Sequence, residues 1–150
     1  MSKSKILIAD DNPTNVELLE VYLSDCDCEI EIAVDGQDTL DKVAEFGPDL
    51  ILLDIMMPKL SGFEVCEKVK ADPKTREIMI LMVTALNELG DIERAVGAGC
   101  DDFLSKPVNK LELNKRVDNM LKLRYVTDEN ERLRRYIDDM EDGIGPGGEG

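Results

Sequence analysis

The sequence predicts an α/β fold, a parallel five-stranded sheet with helices on both faces. Short apolar runs alternate five times with longer segments of helical period along the 150 residues. Parallel strands need a crossover connection, usually a right-handed one through a helix, and a repeated β-then-α order supplies it. Several of the runs are apolar throughout rather than alternating, as strands covered on both faces are.

In chain order, Lys5-Ile6-Leu7-Ile8-Ala9 is the first strand. A helix from Pro13 to about Asp25 follows, with Asn12 as its cap and Pro13 at its first position. Glu29 to Val34 alternates, as an edge or half-buried strand does. The second helix starts after Gly36 and stops near Gly47-Pro48. Leu50-Ile51-Leu52-Leu53 is the third strand, and a helix over about Phe63 to Ala71 follows it. Ile78 to Val83 is the fourth strand, with a helix from Glu88 to Ala98 closed by Gly99. Asp102-Phe103-Leu104-Ser105 is a short fifth strand, and a last helix from about Asn109 runs on past the end of the domain.

Apolar residues make up 43% of the chain and charged residues 34%, a balance that fits a packed globular protein rather than a disordered one. The formal net charge of −15, with no basic stripe, argues against direct contact with nucleic acid or an anionic membrane. No apolar run approaches the roughly 20 residues that span a bilayer. Met1-Ser2-Lys3-Ser4 lacks the apolar core of a signal peptide, so a cytoplasmic location is expected. Cys26, Cys28, Cys66 and Cys100 are expected to be reduced and mostly buried, and with no histidine present a zinc site is disfavoured.

In an open parallel sheet the functional site lies outside the carboxyl ends of the strands. Asp10 and Asp11 follow strand one, Asp54 follows strand three, Thr84 strand four, and Lys106-Pro107 strand five. Taken singly, each has an ordinary explanation as a helix cap, a strand-end hydroxyl or a solvated lysine. Together they put three carboxylates, a hydroxyl and an ammonium at one edge. Clustered carboxylates repel one another unless a cation sits among them, and an all-oxygen set favours Mg²⁺. A carboxylate can attack phosphorus to give an acyl phosphate, provided the negative charge is neutralised from both sides. Asp54 is the best nucleophile, because it follows the most apolar strand and opens a loop (Ile55-Met56-Met57-Pro58) rather than a helix.

At this point the sequence resembles the receiver domain of two-component response regulators. The matching residues are Ile8-Ala9-Asp10-Asp11-Asn12, then Leu53-Asp54-Ile55-Met56-Met57-Pro58 with Gly62, Val83-Thr84-Ala85, and Gly99 through Lys106-Pro107. The resemblance covers about residues 4–122. It implies a flavodoxin-like sheet of order 2-1-3-4-5, with residues 1–122 as the receiver domain. It implies Asp54 as phosphoacceptor, served by a histidine kinase or a phosphotransfer protein. It also implies Mg²⁺ held by Asp11, Asp54, the Met56 backbone oxygen and, directly or through water, Asp10. Thr84 and Lys106 would contact the phosphoryl group, and the bond preceding Pro107 would be cis. Thr84 and Phe103 would form the switch pair, although Phe103 reads equally well as a core residue. It has no hydroxyl to hold an outward position. Met56 and Leu86, two past the acceptor and two past the threonine, are apolar and predict slow self-dephosphorylation.

Beyond the domain, Leu123, Val126, Asn130, Leu133, Ile137 and Met140 follow the a/d spacing of a coiled coil, with Asn130 at an a position. A helical extension over 123–141 that pairs two copies is therefore expected; a helix folded back on its own domain, or a solvated one, is the alternative. The segment 142–150 is a glycine-rich flexible tail. The sequence leaves open the signal, the output and any further domain.

Two other aspartate and phosphate chemistries fit less well. A phosphatase of the haloacid dehalogenase type needs a second aspartate two residues past the nucleophile, and Met56 stands there. A flavodoxin-like mononucleotide binder needs amides and small hydroxyl residues after strand one, where Asp10-Asp11 would repel phosphate. An interaction module of the same fold that is never phosphorylated is the remaining alternative, and the intact acidic pair, Thr84 and Lys106 weigh against it.

Overall fold

The structure is a computed structural model and describes residues 3–85 and 89–124. Five strands lie in one parallel sheet: β1 (Ser4–Ala9), β2 (Cys28–Ala33), β3 (Leu50–Leu53), β4 (Met79–Thr84) and β5 (Asp102–Ser105). Their spatial order is β2-β1-β3-β4-β5. All four pairings are parallel. Between them run α1 (Pro13–Tyr22), α2 (Gly36–Phe46), α3 (Gly62–Ala71) and α4 (Leu89–Gly97). The last helix, α5, is described over residues 110–124.

Successive strand residues point to opposite faces, so each apolar strand feeds two cores. Leu7, Ala9, Ile51, Leu53, Ile80 and Met82 face α2, α3 and α4, where Val43, Phe63, Val65 and Ala95 meet them. Ile6, Ile8, Leu50, Leu52, Leu81 and Val83 face α1 and α5, where Val16, Leu19, Leu113 and Val117 complete the second core. The unbroken apolar runs of β1, β3 and β4 follow directly from this double burial.

Local chemistry sets the helix starts. Asn12 caps α1, its side chain accepting from the amides of Thr14 and Asn15. Asp35 caps α2 through the Asp38 amide, and Ser61 and Glu64 form a reciprocal capping box on α3. Gly47 ends α2 in the left-handed region (φ 62°).

The expected elements are present with small shifts. Helix α1 ends at Tyr22 rather than near Asp25, because residues 23–28 form tight turns that carry the chain into edge strand β2. Of the four cysteines expected to be mostly buried, Cys66 is buried, whereas Cys26, Cys28 and Cys100 are only partly covered. The predicted coiled-coil seam beyond Leu123 and the glycine-rich tail fall outside the described residues, as does Leu86.

Candidate functional site

Each strand ends where backbone pairing stops, and the first residue past the ladder is delivered to the carboxyl edge. Asp10 is held there by its amide, which donates to the Ala33 carbonyl (3.1 Å), and Asp54 by its amide on the Ala9 carbonyl (2.9 Å). The neighbouring ladders of β1 thus fix two carboxylates side by side. Both are buried, at 3% and 7% exposure, while Asp11 is exposed. One carboxylate oxygen from each of Asp10, Asp11 and Asp54 lies within 4.8 Å of the other two.

The buried carboxylates have defined partners. Asp10 Oδ1 accepts from the Asn12 amide (2.9 Å), and Asp54 Oδ1 from the Met56 amide (3.2 Å). Their other oxygens share one cation: Lys106 Nζ lies 3.3 Å from Asp10 Oδ2 and 3.4 Å from Asp54 Oδ2. Lys106 comes from just past β5 and reaches 96 residues back to Asp10. Its ammonium is the positive charge that allows two carboxylates to be buried together. The Lys106–Pro107 peptide bond is cis. Thr84 is the last residue of β4, in register with Ser105 of β5. Phe103 pairs with Met82 in the same ladder and packs, partly buried, against the core under α3 and α4.

The loop between Asp54 and α3 is clamped from two sides. A Cβ on Gly62 would sit 2.4 Å from the Asp54 carbonyl oxygen and 2.7 Å from Ile55 Cα. Only glycine lets α3 start this close, and the Gly62 amide uses the approach to donate to the Ile55 carbonyl (2.9 Å). On the other side Gly36, at the start of α2, meets Leu60 as closely, and its amide donates to the Pro58 carbonyl (3.2 Å). Lys59 takes a left-handed φ of 71° and pairs with Asp35 at 3.4 Å. The Asp38 amide, and to a lesser degree Lys59, hold the Asp35 carboxyl below its ordinary value of 3.8. Sequence reasoning missed this role of Asp35, Gly36 and Lys59; the Asp35-x-x-Asp38 pattern before a helix was the available signal. Met56, at the loop's exposed crest, is 74% exposed.

The three carboxylates fit a hard divalent cation. They offer only oxygens, with one member open to solvent, and Mg²⁺ coordinates oxygen ligands at about 2.0–2.1 Å while keeping several waters. Oxygens spanning 4.8 Å need only a small closure to share such an ion.

A family model described as the response regulator receiver domain matches residues 6–118. The response regulator PleD of Caulobacter vibrioides is 42% identical over 126 residues, covering 84% of this chain and 28% of that protein. The alkaline phosphatase synthesis transcriptional regulatory protein PhoP of Bacillus subtilis is 35% identical, covering 93% of this chain and 57% of that one. The chain thus spans between about a quarter and somewhat over half of the length of these curated relatives. Among solved structures, a response regulator from Chloroflexus aurantiacus is 32% identical with a TM-score of 0.77, covering 81% of this chain and 99% of that one. The receiver domain of a Pseudomonas aeruginosa sensor histidine kinase is 27% identical with a TM-score of 0.74, covering 81% of this chain and 99% of that one; its structure has magnesium coordinated in the active-site cleft.

Proposed function

The chain belongs to the response regulator receiver family, and on that premise we propose that Asp54 accepts a phosphoryl group from a histidine kinase or a phosphotransfer protein. The supporting observation is the shared ammonium: Lys106 lies within 3.4 Å of both buried carboxylates, at the mouth of a three-aspartate cluster. An Asp54 carboxylate oxygen forms the new bond to phosphorus, and the bond from phosphorus to the donor's imidazole nitrogen, or to acetate in acetyl phosphate, breaks. The result is an acyl phosphate on Asp54. Lys106 then exchanges part of its pairing with Asp54 for a phosphoryl oxygen, and Thr84, at the neighbouring strand end, donates a hydrogen bond to another.

Mg²⁺, when bound, neutralises charge on the transferring group. Asp10, Asp11, Asp54 and the Met56 backbone oxygen are the groups that would hold it. Thr84 and Phe103 are the proposed switch pair. They lie in the adjacent strands β4 and β5, and Phe103 is partly buried against the core. The chain acts as a phosphoacceptor, not as a turnover enzyme, and does so in the cytoplasm. Among the described residues no helix is long and apolar enough to cross a membrane.

Signalling through a homodimer of the 123–141 helix completes the proposal. Support comes from the a/d spacing of that segment, from α5 continuing helical to residue 124, and from Leu123, the first seam residue, being 56% exposed.

Incubation with acetyl phosphate and Mg²⁺ followed by intact-mass measurement tests the reading. A gain of one phosphoryl that Asp54→Asn abolishes is expected. No gain would favour the non-phosphorylated interaction module, and steady phosphate release would favour a phosphatase.

A further inference from the structure

We infer that Cys26 and Cys28 form a reversible intrachain disulfide, a redox modification site in the turn that joins α1 to β2. The turn is set by backbone bonds. The Cys26 amide donates to the Leu23 carbonyl (2.9 Å), and the Cys28 amide donates to the Cys26 carbonyl (3.0 Å). The second bond spans only two residues, a γ-turn, and contracts the segment. In an extended strand two residues advance about 6.6 Å. Contraction brings the two Cα atoms well within the roughly 4.4–6.8 Å range that disulfides use.

The side chains agree with the backbone. Cys26 and Cys28 both pack on the α1/α5 face of the sheet, beside Tyr22 and Ile30, and both remain partly exposed. Asp27 between them is 87% exposed and pairs with Lys3 at 3.7 Å, so it does not separate the thiols. Burial, and then the neighbouring Cys26 side chain, push the Cys28 thiol up from 9.0 to about 12. Cys26 borders open space that Cys28 does not reach, so Cys26 is the thiol that meets the oxidant and Cys28 the one that resolves it. Access is available through an open cavity of about 770 Å³ between the end of α1 and α5, which Cys26 lines with Asp25, Lys110 and Asn114. By contrast Cys66 is fully buried, with its Sγ 3.3 Å from the Ala98 carbonyl oxygen.

The oxidant is hydrogen peroxide. The Cys26 sulfur attacks one peroxide oxygen and the O–O bond breaks. One water leaves and Cys26 becomes a sulfenic acid. The Cys28 sulfur then displaces the sulfenic oxygen as a second water, closing the S–S bond. Two thiols are oxidised and one peroxide is reduced to two waters. A small ring of this kind is strained and partly exposed, so mild thiols reopen it. The bridge lies beside the contacts joining α1 to α5, where Asn114 Nδ2 donates to the Tyr22 carbonyl (2.9 Å) and Lys110 pairs with Asp25 (3.7 Å).

The test exposes the full chain to hydrogen peroxide and records intact mass and disulfide-mapped peptides. The expected result is the loss of two hydrogens per chain, a Cys26–Cys28 linked peptide, and full recovery with dithiothreitol. Cys28→Ser should abolish the loss and leave oxygen added at Cys26, whereas a Cys66→Ser, Cys100→Ser double variant should keep it. No loss of hydrogen in the wild type, a link to Cys66 or Cys100, a link between chains, or a loss that survives Cys28→Ser would each overturn the inference. No phosphoryl chemistry enters the test, so its outcome is separate from that of the Asp54 reading.

Discussion

Replacing Gly62 with alanine is a direct probe of how the Asp54 loop is held. The new Cβ would lie 2.4 Å from the Asp54 carbonyl oxygen and 2.7 Å from Ile55 Cα, both backbone atoms that cannot swing aside. Restoring ordinary contact requires α3 or the loop to retreat by about 1 Å, and overpacking of this kind costs about 1–3 kcal/mol. Alanine recovers up to about 1 kcal/mol through its better helix propensity, less at a helix start. The net expectation is a loss of about 1–2 kcal/mol, which lowers Tm by roughly 4–10 °C in a domain of this size. Gly97→Ala is the internal control. A Cβ there meets nothing within 4 Å and its φ is not positive, so Tm should rise slightly. Thermal unfolding followed by circular dichroism reads both variants. The Gly62 variant should also accept phosphoryl more slowly from acetyl phosphate, because Asp54 moves with its carbonyl. An unchanged or raised Tm for Gly62→Ala would refute the close-approach reasoning.

Three further outcomes follow from the site and the core. Mg²⁺ should raise the Tm of the wild type, while Asp11→Asn, which removes one of three converging carboxylates, should be more stable than wild type in chelator and gain little from Mg²⁺; thermal scans with and without the ion decide it. The phosphorylated chain should lose its phosphoryl group slowly, and Met56→Asn, which puts a water-orienting amide at the exposed crest, should speed the loss several-fold; a wild-type half-life of seconds would sink this expectation. Burial pushes the Cys66 thiol from 9.0 up to about 12. A raised folded value means its contribution is whole below pH 9.0 and is lost as pH climbs towards about 12, so wild-type urea midpoints should fall more steeply over that window than those of Cys66→Ala.

The strands were legible because double burial writes itself as unbroken apolar runs, their spatial order followed only from the resemblance to the receiver family, and the site was legible because it gathers at strand exits. Asp10, Asp54 and Lys106 do meet, yet their specific pairing was not readable: Lys106 reaches Asp10 across 96 positions, a distance no local pattern encodes. Gly36 and Gly62 carry the same lesson. Each looks like an ordinary helix start, and only the folded partners Leu60 and Asp54 reveal why a side chain cannot be there. The early end of α1 was hidden because Ser24 and Asp25 tolerate a helix, and the turn is imposed by the need to enter β2. The Asp35–Lys59 pair was not legible because it joins a helix cap to a loop distant in sequence, a contact no local pattern encodes.

The claim on which the rest depends is that the acyl phosphate forms on Asp54. Borohydride reduces an aspartyl phosphate to homoserine, marking the residue that carried it. After acetyl phosphate and Mg²⁺, peptide mass mapping should find homoserine at position 54 and at no other aspartate. Homoserine at Asp10 or Asp11, or none in a chain that has gained a phosphoryl group, would contradict the account.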